Sequence, residues 1–264
     1  MPDILLEHAG GVATLTLNRP DRRNAITPTM WTELARLLDR VADEPSMRVL
    51  VVTGAGGAFS SGADLATSDG IRSGAAPLAL DQMRAVSRAV LALQRLPKPT
   101  IASVPGVAVG GGWNLALACD LVIAAERARF SQIFTKRGLS IDVGGSWVLP
   151  RLVGLQKAKE LAFMATMITA ADAEALGLVN LVVPDGALPE TVAEWAQRLA
   201  AGPATALSLT KTLLNQSLGL GIEQALDAEA CAQALNRMTD DMAEALNAFA
   251  EKREPRFAGG PVPL

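Results

Sequence analysis

Residues 100–120 read TIASVPGVAVGGGWNLALACD, and the fold turns on how this stretch is parsed. Ile101, Ala102 and Val104 form a β-type run that meets Pro105, continues through Val107 and Val109, and breaks into Gly110, Gly111 and Gly112 ahead of a helical WNLALA. The pattern predicts a buried strand emptying into a glycine turn at a helix N-terminus. With no Cβ in the way a ligand can approach such a backbone closely, and the first N–H groups of the helix point outward without an intrahelical acceptor. An oxygen bearing negative charge suits that turn. A tight strand-to-helix connection with no ligand is the other reading of the same glycines.

Composition narrows the chemistry. The 264 residues suffice for one large domain, or a domain with an appendage; half are apolar and only 4% aromatic, so Ala, Leu and Val build the core. A formal charge of −3 offers no general attraction to nucleic acid or to an anionic membrane. Residues 100–119 carry no charge, but Pro105, the glycines and Asn114 favour a core strand and helix over a membrane span. With no signal-like N-terminus and two widely separated cysteines, Cys119 and Cys231, read as buried thiols without metal-ligand spacing, the expectation is a soluble cytoplasmic protein. His8 is the only histidine and there is no tyrosine. Acid-base work near neutral pH therefore falls to a carboxylate, a cysteine or a lysine.

Working outward, residues 4–18 alternate as two strands about Gly10-Gly11. RPDRRNAITP, residues 19–28, is a polar loop in which Arg19, Arg22 and Arg23 either clamp a phosphate or are merely solvated. Thr27-Pro28 then caps a helix to about residue 42. RVLVVT, residues 48–53, is a buried strand leading into GAGGAFSSGADL, residues 54–65. This second glycine-rich segment leaving a buried strand pairs with the first, because two such loops can aim N–H groups at one point and stabilise an oxyanion or enolate.

SSGADL and VAVGGGWNLALACD, preceded by LNRPDRRNAI, resemble the crotonase superfamily, the enoyl-CoA hydratase/isomerase fold. PRLVGLQKAKEL, ADAEALGLVNLVV and AFAEKREPRF extend the likeness over nearly the whole chain. The resemblance implies an α/β crotonase-like spiral of ββα units with a C-terminal helical region, a coenzyme A thioester as substrate, and no permanently bound cofactor or metal. It places the oxyanion N–H groups at Ala63 and Gly111, and the CoA nucleotide against Arg22, Arg23, Ala25 and Ser61. Phe249 and Lys252 look like the pair that reaches CoA, often from a neighbouring subunit. Asp64 is expected to order its own loop. Leu65, Trp113 and Phe134 are assigned to the acyl pocket, together with the loop of residues 66–76.

Hydratases of this family use two glutamates, and by the resemblance their positions here are Asn114 and Phe134. Asparagine can orient a substrate but cannot take up a proton, and phenylalanine does neither. GLSIDVGGSWVLPRL, residues 138–152, supplies a replacement: Asp142 stands where several branches carry an acid-base aspartate, among apolar neighbours that raise a carboxyl pKa. Capping of the following helix is the plainer role for the same residue. Asn114 with Asp142 looks most like the phenylacetate-pathway branch, which includes epoxyphenylacetyl-CoA and 3-enoyl-CoA isomerases. The expected chemistry is double-bond or epoxide isomerisation with Asp142 as acid and base; the alternatives are a hydratase in which Asp142 activates water, or a non-catalytic acyl-CoA-binding protein.

Downstream, LVIA and ARFS (121–124 and 128–131) are further strands, 146–152 and 155–164 are helices, and 178–183 is the last strand. Beyond residue 189 the pattern is helical, which sets an expected division into residues 1–195, the acyl-CoA core, and 196–264, a helical oligomerisation region. The family resemblance implies a homotrimer or a dimer of trimers.

Overall fold

The computed structural model describes residues 2–65 and 76–258. The expected acyl-site loop therefore lies, over residues 66–75, outside the described residues, as do the last six residues. Two sheets carry the chain. The larger has the order β1 (Ile4–Ala9), β2 (Val12–Leu17), β3 (Val49–Gly54), β4 (Thr100–Val104), β6 (Leu121–Ala125), β9 (Leu181–Val183), and is parallel except for the β1–β2 hairpin. The smaller comprises β5 (Val107–Val109), β7 (Arg129–Ser131) and β8 (Ile168–Thr169).

The continuous strand expected through Pro105 is thus two strands in two sheets. Pro105 has no N–H to continue the ladder. At Gly106 a Cβ would stand 2.1 Å from the Gly57 carbonyl oxygen, so only glycine lets the chain turn there. This corner brings β5 and its glycine turn alongside the loop that leaves β3.

The period-2 alternation of β3 divides the core. Leu50 and Val52 face one side with Trp31, Leu34 and Leu38 of α1 (Pro28–Asp43) and Ala89 and Leu93 of α2 (Ala76–Arg95). Val49 and Val51 face the other side, covered by Leu188, Val192, Ala196 and Ala200 of α6 (Leu188–Ala200). Between them in sequence run α3 (Gly111–Leu117), α4 (Gly145–Met164) and α5 (Ala170–Ala175). Gly154, at φ 75 and ψ 160, breaks α4 into the two expected segments. Residue 195 falls inside α6, whose apolar face belongs to the sheet, so the expected division near 195 meets an unbroken helix.

α7 (Ala204–Ser217), α8 (Ile222–Asn236) and α9 (Asp240–Glu251) follow. Lys211 ties α7 to the sheet: its Nζ lies 2.9 Å from Asp120 Oδ2, and Asp120 Oδ2 also accepts from Thr100 N and Oγ1. These last helices leave Leu214, Leu218, Ile222, Met238 and Phe249 at least 65% exposed. Cys231, expected buried, is exposed on α8, while burial pushes the Cys119 thiol up to about 12 and makes it inert. Among the described residues no helix is long and apolar enough to cross a membrane.

Candidate active site

The loop after β3 runs beside β5. Phe59 N and Ser60 N donate to the Val107 carbonyl, and Val109 N donates to the Ser60 carbonyl. Ser60 Oγ donates to the Asn24 carbonyl at 2.8 Å and accepts from Gly62 N at 3.1 Å. Gly62 has φ +85, and a Cβ on it would meet the Val109 carbonyl oxygen at 2.9 Å and Gly111 N at 3.4 Å. The two glycine loops are therefore in contact, and the contact requires glycine.

Hydrogen bonding then decides which N–H groups are left over. The bridge between Ile26 and Ala63 is parallel: Ile26 N donates to the Gly62 carbonyl, and Asp64 N donates to the Ile26 carbonyl. Ala63 lies between those two bonds, so its N–H turns the other way and donates to no acceptor among the described residues. Gly111 begins α3, where no intrahelical acceptor exists, and its N–H is likewise unpaired among the described residues. Arg19 braces the first loop, donating from Nη1 to Asp64 Oδ2 at 2.8 Å and to the Ala25 carbonyl at 2.7 Å. Asp64 is buried in this pair and orders its loop, in keeping with the expectation for it.

Asp142 faces the second loop. Its Oδ1 is buried without a hydrogen-bond partner among the described residues. A Cβ on Gly111 would stand 3.7 Å from that oxygen and 3.1 Å from Val143 Cγ2. Burial raises the Asp142 carboxyl to about 6. Its backbone carbonyl accepts from Gly145 N at 2.9 Å and from Asn114 Nδ2 at 2.8 Å. Val143 follows at φ 51, a left-handed conformation costly for a β-branched residue, and Gly144 at φ 74 completes the turn into α4.

Asn114 itself is fully buried. Its Nδ2 is committed to the Asp142 carbonyl and its Oδ1 accepts from Gln132 Nε2 at 2.7 Å, so the amide faces the protein rather than an open site. The expected substrate-orienting role is displaced by this network. Gln132 has no recognisable pattern in the sequence beyond lying just after the RFS strand.

Of the other expected residues, Arg22 and Arg23 are exposed, and the Ser61 N–H and Oγ donate to the Arg23 and Arg22 carbonyls, which brings Ser61 to the arginine loop. Ala25 is buried beside them. Phe249 is 85% exposed on α9, and Lys252 caps that helix at φ 54. Leu65 is 47% exposed. Phe134 is buried near Gly110, 3.8 Å from where a Cβ there would stand. Trp113 requires a correction: it has no exposed surface and packs against Phe130 at a centroid distance of 5.4 Å, because every residue of the short helix α3 is enclosed. It is a core residue, not a wall of the acyl pocket.

Two N–H groups without an acceptor among the described residues sit on touching loops, with a buried carboxylate across from one of them, an arrangement able to receive an oxygen bearing negative charge on an α/β frame. A profile of the enoyl-CoA hydratase/isomerase family matches residues 7–260. The chain is 39% identical over 261 residues to 1,2-epoxyphenylacetyl-CoA isomerase of Escherichia coli K12, covering 98% of this chain and all of that one. It is 37% identical to crotonyl-CoA hydratase of Syntrophomonas wolfei, over 97% of each chain. The crystal structure of an enoyl-CoA hydratase/isomerase from Cupriavidus metallidurans superposes with a TM-score of 0.91 at 36% identity, over 99% of this chain and 98% of that one. The frame is the crotonase fold, and the chain belongs to the enoyl-CoA hydratase/isomerase family.

Proposed function

We propose that the protein is an acyl-CoA isomerase that moves a double bond, or opens an epoxide, through a thioester enolate. The carrying observation is Asp142 Oδ1, buried, unpartnered among the described residues and beside Gly111. In this reading the thioester carbonyl oxygen accepts from the Ala63 and Gly111 N–H groups, which acidifies the α-carbon. Asp142 removes the α-proton of a 3-enoyl thioester, leaving a dienolate, and delivers a proton to the γ-carbon, so the double bond becomes conjugated and the carboxylate is regenerated. Arg22 and Arg23 supply positive charge for the CoA phosphates, and Ala25 and Ser61 shape the loop that receives the nucleotide. Leu65 and Phe134 bound the acyl end.

The exposed apolar side chains of α7 to α9 support an assembly of several copies, in the reading a trimer or a dimer of trimers, across which Phe249 and Lys252 reach a neighbour's CoA. Hydration is the second reading, supported by the hydratase name of a relative. Asn114 and Phe134 at the two glutamate positions count against it, since neither can activate water. Incubating the enzyme with 3-enoyl-, 2-enoyl- and epoxyphenylacetyl-CoA separates the two. Conversion of the first or third without hydration of the second supports isomerisation, and faster hydration of the 2-enoyl thioester contradicts it.

A further inference from the structure

We propose that Gln132 is a positioning residue for Asp142, acting through the carboxamide of Asn114. The inference rests on the reading of Asp142 as the base and adds a residue to it. The orientation of each amide follows from chemistry. A backbone carbonyl only accepts, so the end of Asn114 that lies 2.8 Å from the Asp142 oxygen is Nδ2. Oδ1 of Asn114 is thereby turned to Gln132, and the group 2.7 Å away must be the Gln132 NH2. A directed chain runs from Gln132 through Asn114 to the backbone of the base.

Two further observations give that chain a purpose. Gln132 is fully buried and its Oε1 has no partner among the described residues. A buried amide whose acceptor has no partner among the described residues gains little from that oxygen, so the contribution of this residue lies in its donor. That donor stops the Asn114 amide from turning its oxygen toward the Asp142 carbonyl. The carbonyl in turn anchors a turn that would otherwise relax, because Val143 is held at φ 51. Gly145 shows how closely the parts are fitted: a Cβ there would lie 2.2 Å from Asn114 Nδ2. With the anchor in place, the carboxylate oxygen stays beside Gly111.

The test uses the full-length protein and a 3-enoyl-CoA substrate. Gln132→Met keeps the volume and removes the donor. It is expected to lower kcat by about 10²-fold while KM stays within about threefold, the signature of a misplaced catalytic group rather than lost binding. Adding it to Asn114→Leu is expected to cause no further loss, because both break one chain. Asn114→Asp keeps the acceptor for Gln132 but sets oxygen against the Asp142 carbonyl, and the same fall in kcat is expected even if Gln132→Met does not fold. Wild-type kcat in either Gln132→Met or Asn114→Asp, or fully additive losses in the double variant, overturns the proposal. Asp142→Asn assayed alongside separates the two levels. Retained turnover there refutes the base itself, whereas an inactive Asp142→Asn beside a fully active Gln132→Met refutes only the chain that positions it.

Discussion

Asp142 Oδ1 stands 3.7 Å from the point that a Cβ on Gly111 would occupy. The proposed base and an N–H unpaired among the described residues thus share one small space, and a methyl group placed between them should separate catalysis from stability. Gly111→Ala is expected to lower kcat by about 10²-fold with little change in thermal midpoint, since among the described residues the methyl meets only side-chain atoms, Val143 Cγ2 at 3.1 Å and the carboxylate. Gly112→Ala should do the reverse, destabilising by about 1–3 kcal/mol, because its Cβ would fall 2.7 Å from the Ser60 carbonyl oxygen. Steady-state kinetics and thermal melts of both variants decide the matter, and a fully active Gly111→Ala would be inconsistent with the proposed site.

The pH dependence follows from burial of the same carboxyl. In the proposed mechanism Asp142 works as a base when deprotonated, and its value is raised to about 6, so kcat should rise with pH through about 6 and level off above it. The stability effect has the opposite sense. Because the folded protein binds this proton more tightly than the unfolded chain, stability declines as pH rises from about 4 to 6 and the deficit persists above. Asp142→Asn should then be more stable than wild type at pH 8 by up to about 3 kcal/mol, reduced by whatever solvation the side chain retains, and nearly equal to it below pH 4. Denaturant titrations at the two pH values read this directly.

Arg19 braces the loop that presents Ala63. Arg19→Met removes one charged hydrogen bond to buried Asp64 and is expected to cost about 1.5–3 kcal/mol. The urea midpoint should fall accordingly, and activity should fall with it below the transition because the Gly62–Asp64 bridge to Ile26 loosens. An unchanged midpoint would assign the pair no structural role.

Charge on the Pro20–Arg22 turn and at Arg23 should affect binding rather than turnover. Arg22→Ala and Arg23→Ala are each expected to raise KM for an acyl-CoA by about two- to fivefold, the scale of an exposed ion pair, with kcat unchanged. The increase should shrink at high salt. Equal KM values at low salt would remove the CoA phosphates from this loop.

Features with local signals were legible in the sequence. Gly110 to Gly112 after a β-type run, Thr27-Pro28 before a helix and the break between residues 152 and 155 each carry their conformation in a few adjacent residues, and the structure has them as read. Asp142 stands out through the family resemblance, and the raised carboxyl that its apolar neighbours imply is the one burial gives it. What escaped depends on distant partners. Nothing near Pro105 says that the next strand joins another sheet, since the reason is the Gly57 carbonyl against Gly106. The family reading places Trp113 in the acyl pocket, yet α3 is enclosed on all sides. Gln132 is one polar residue in a short connection, and its contact with Asn114 spans 18 positions.

In the proposed mechanism the carboxylate of Asp142 carries the proton. Asp142→Asn removes the base while preserving size and the backbone carbonyl that Asn114 and Gly145 hold. The deciding measurement is isomerisation of a 3-enoyl-CoA by this variant, followed by absorbance, with acyl-CoA affinity measured by calorimetry on the same protein. A loss of at least about 10²-fold in kcat with affinity retained is expected. Undiminished turnover in that variant would contradict it.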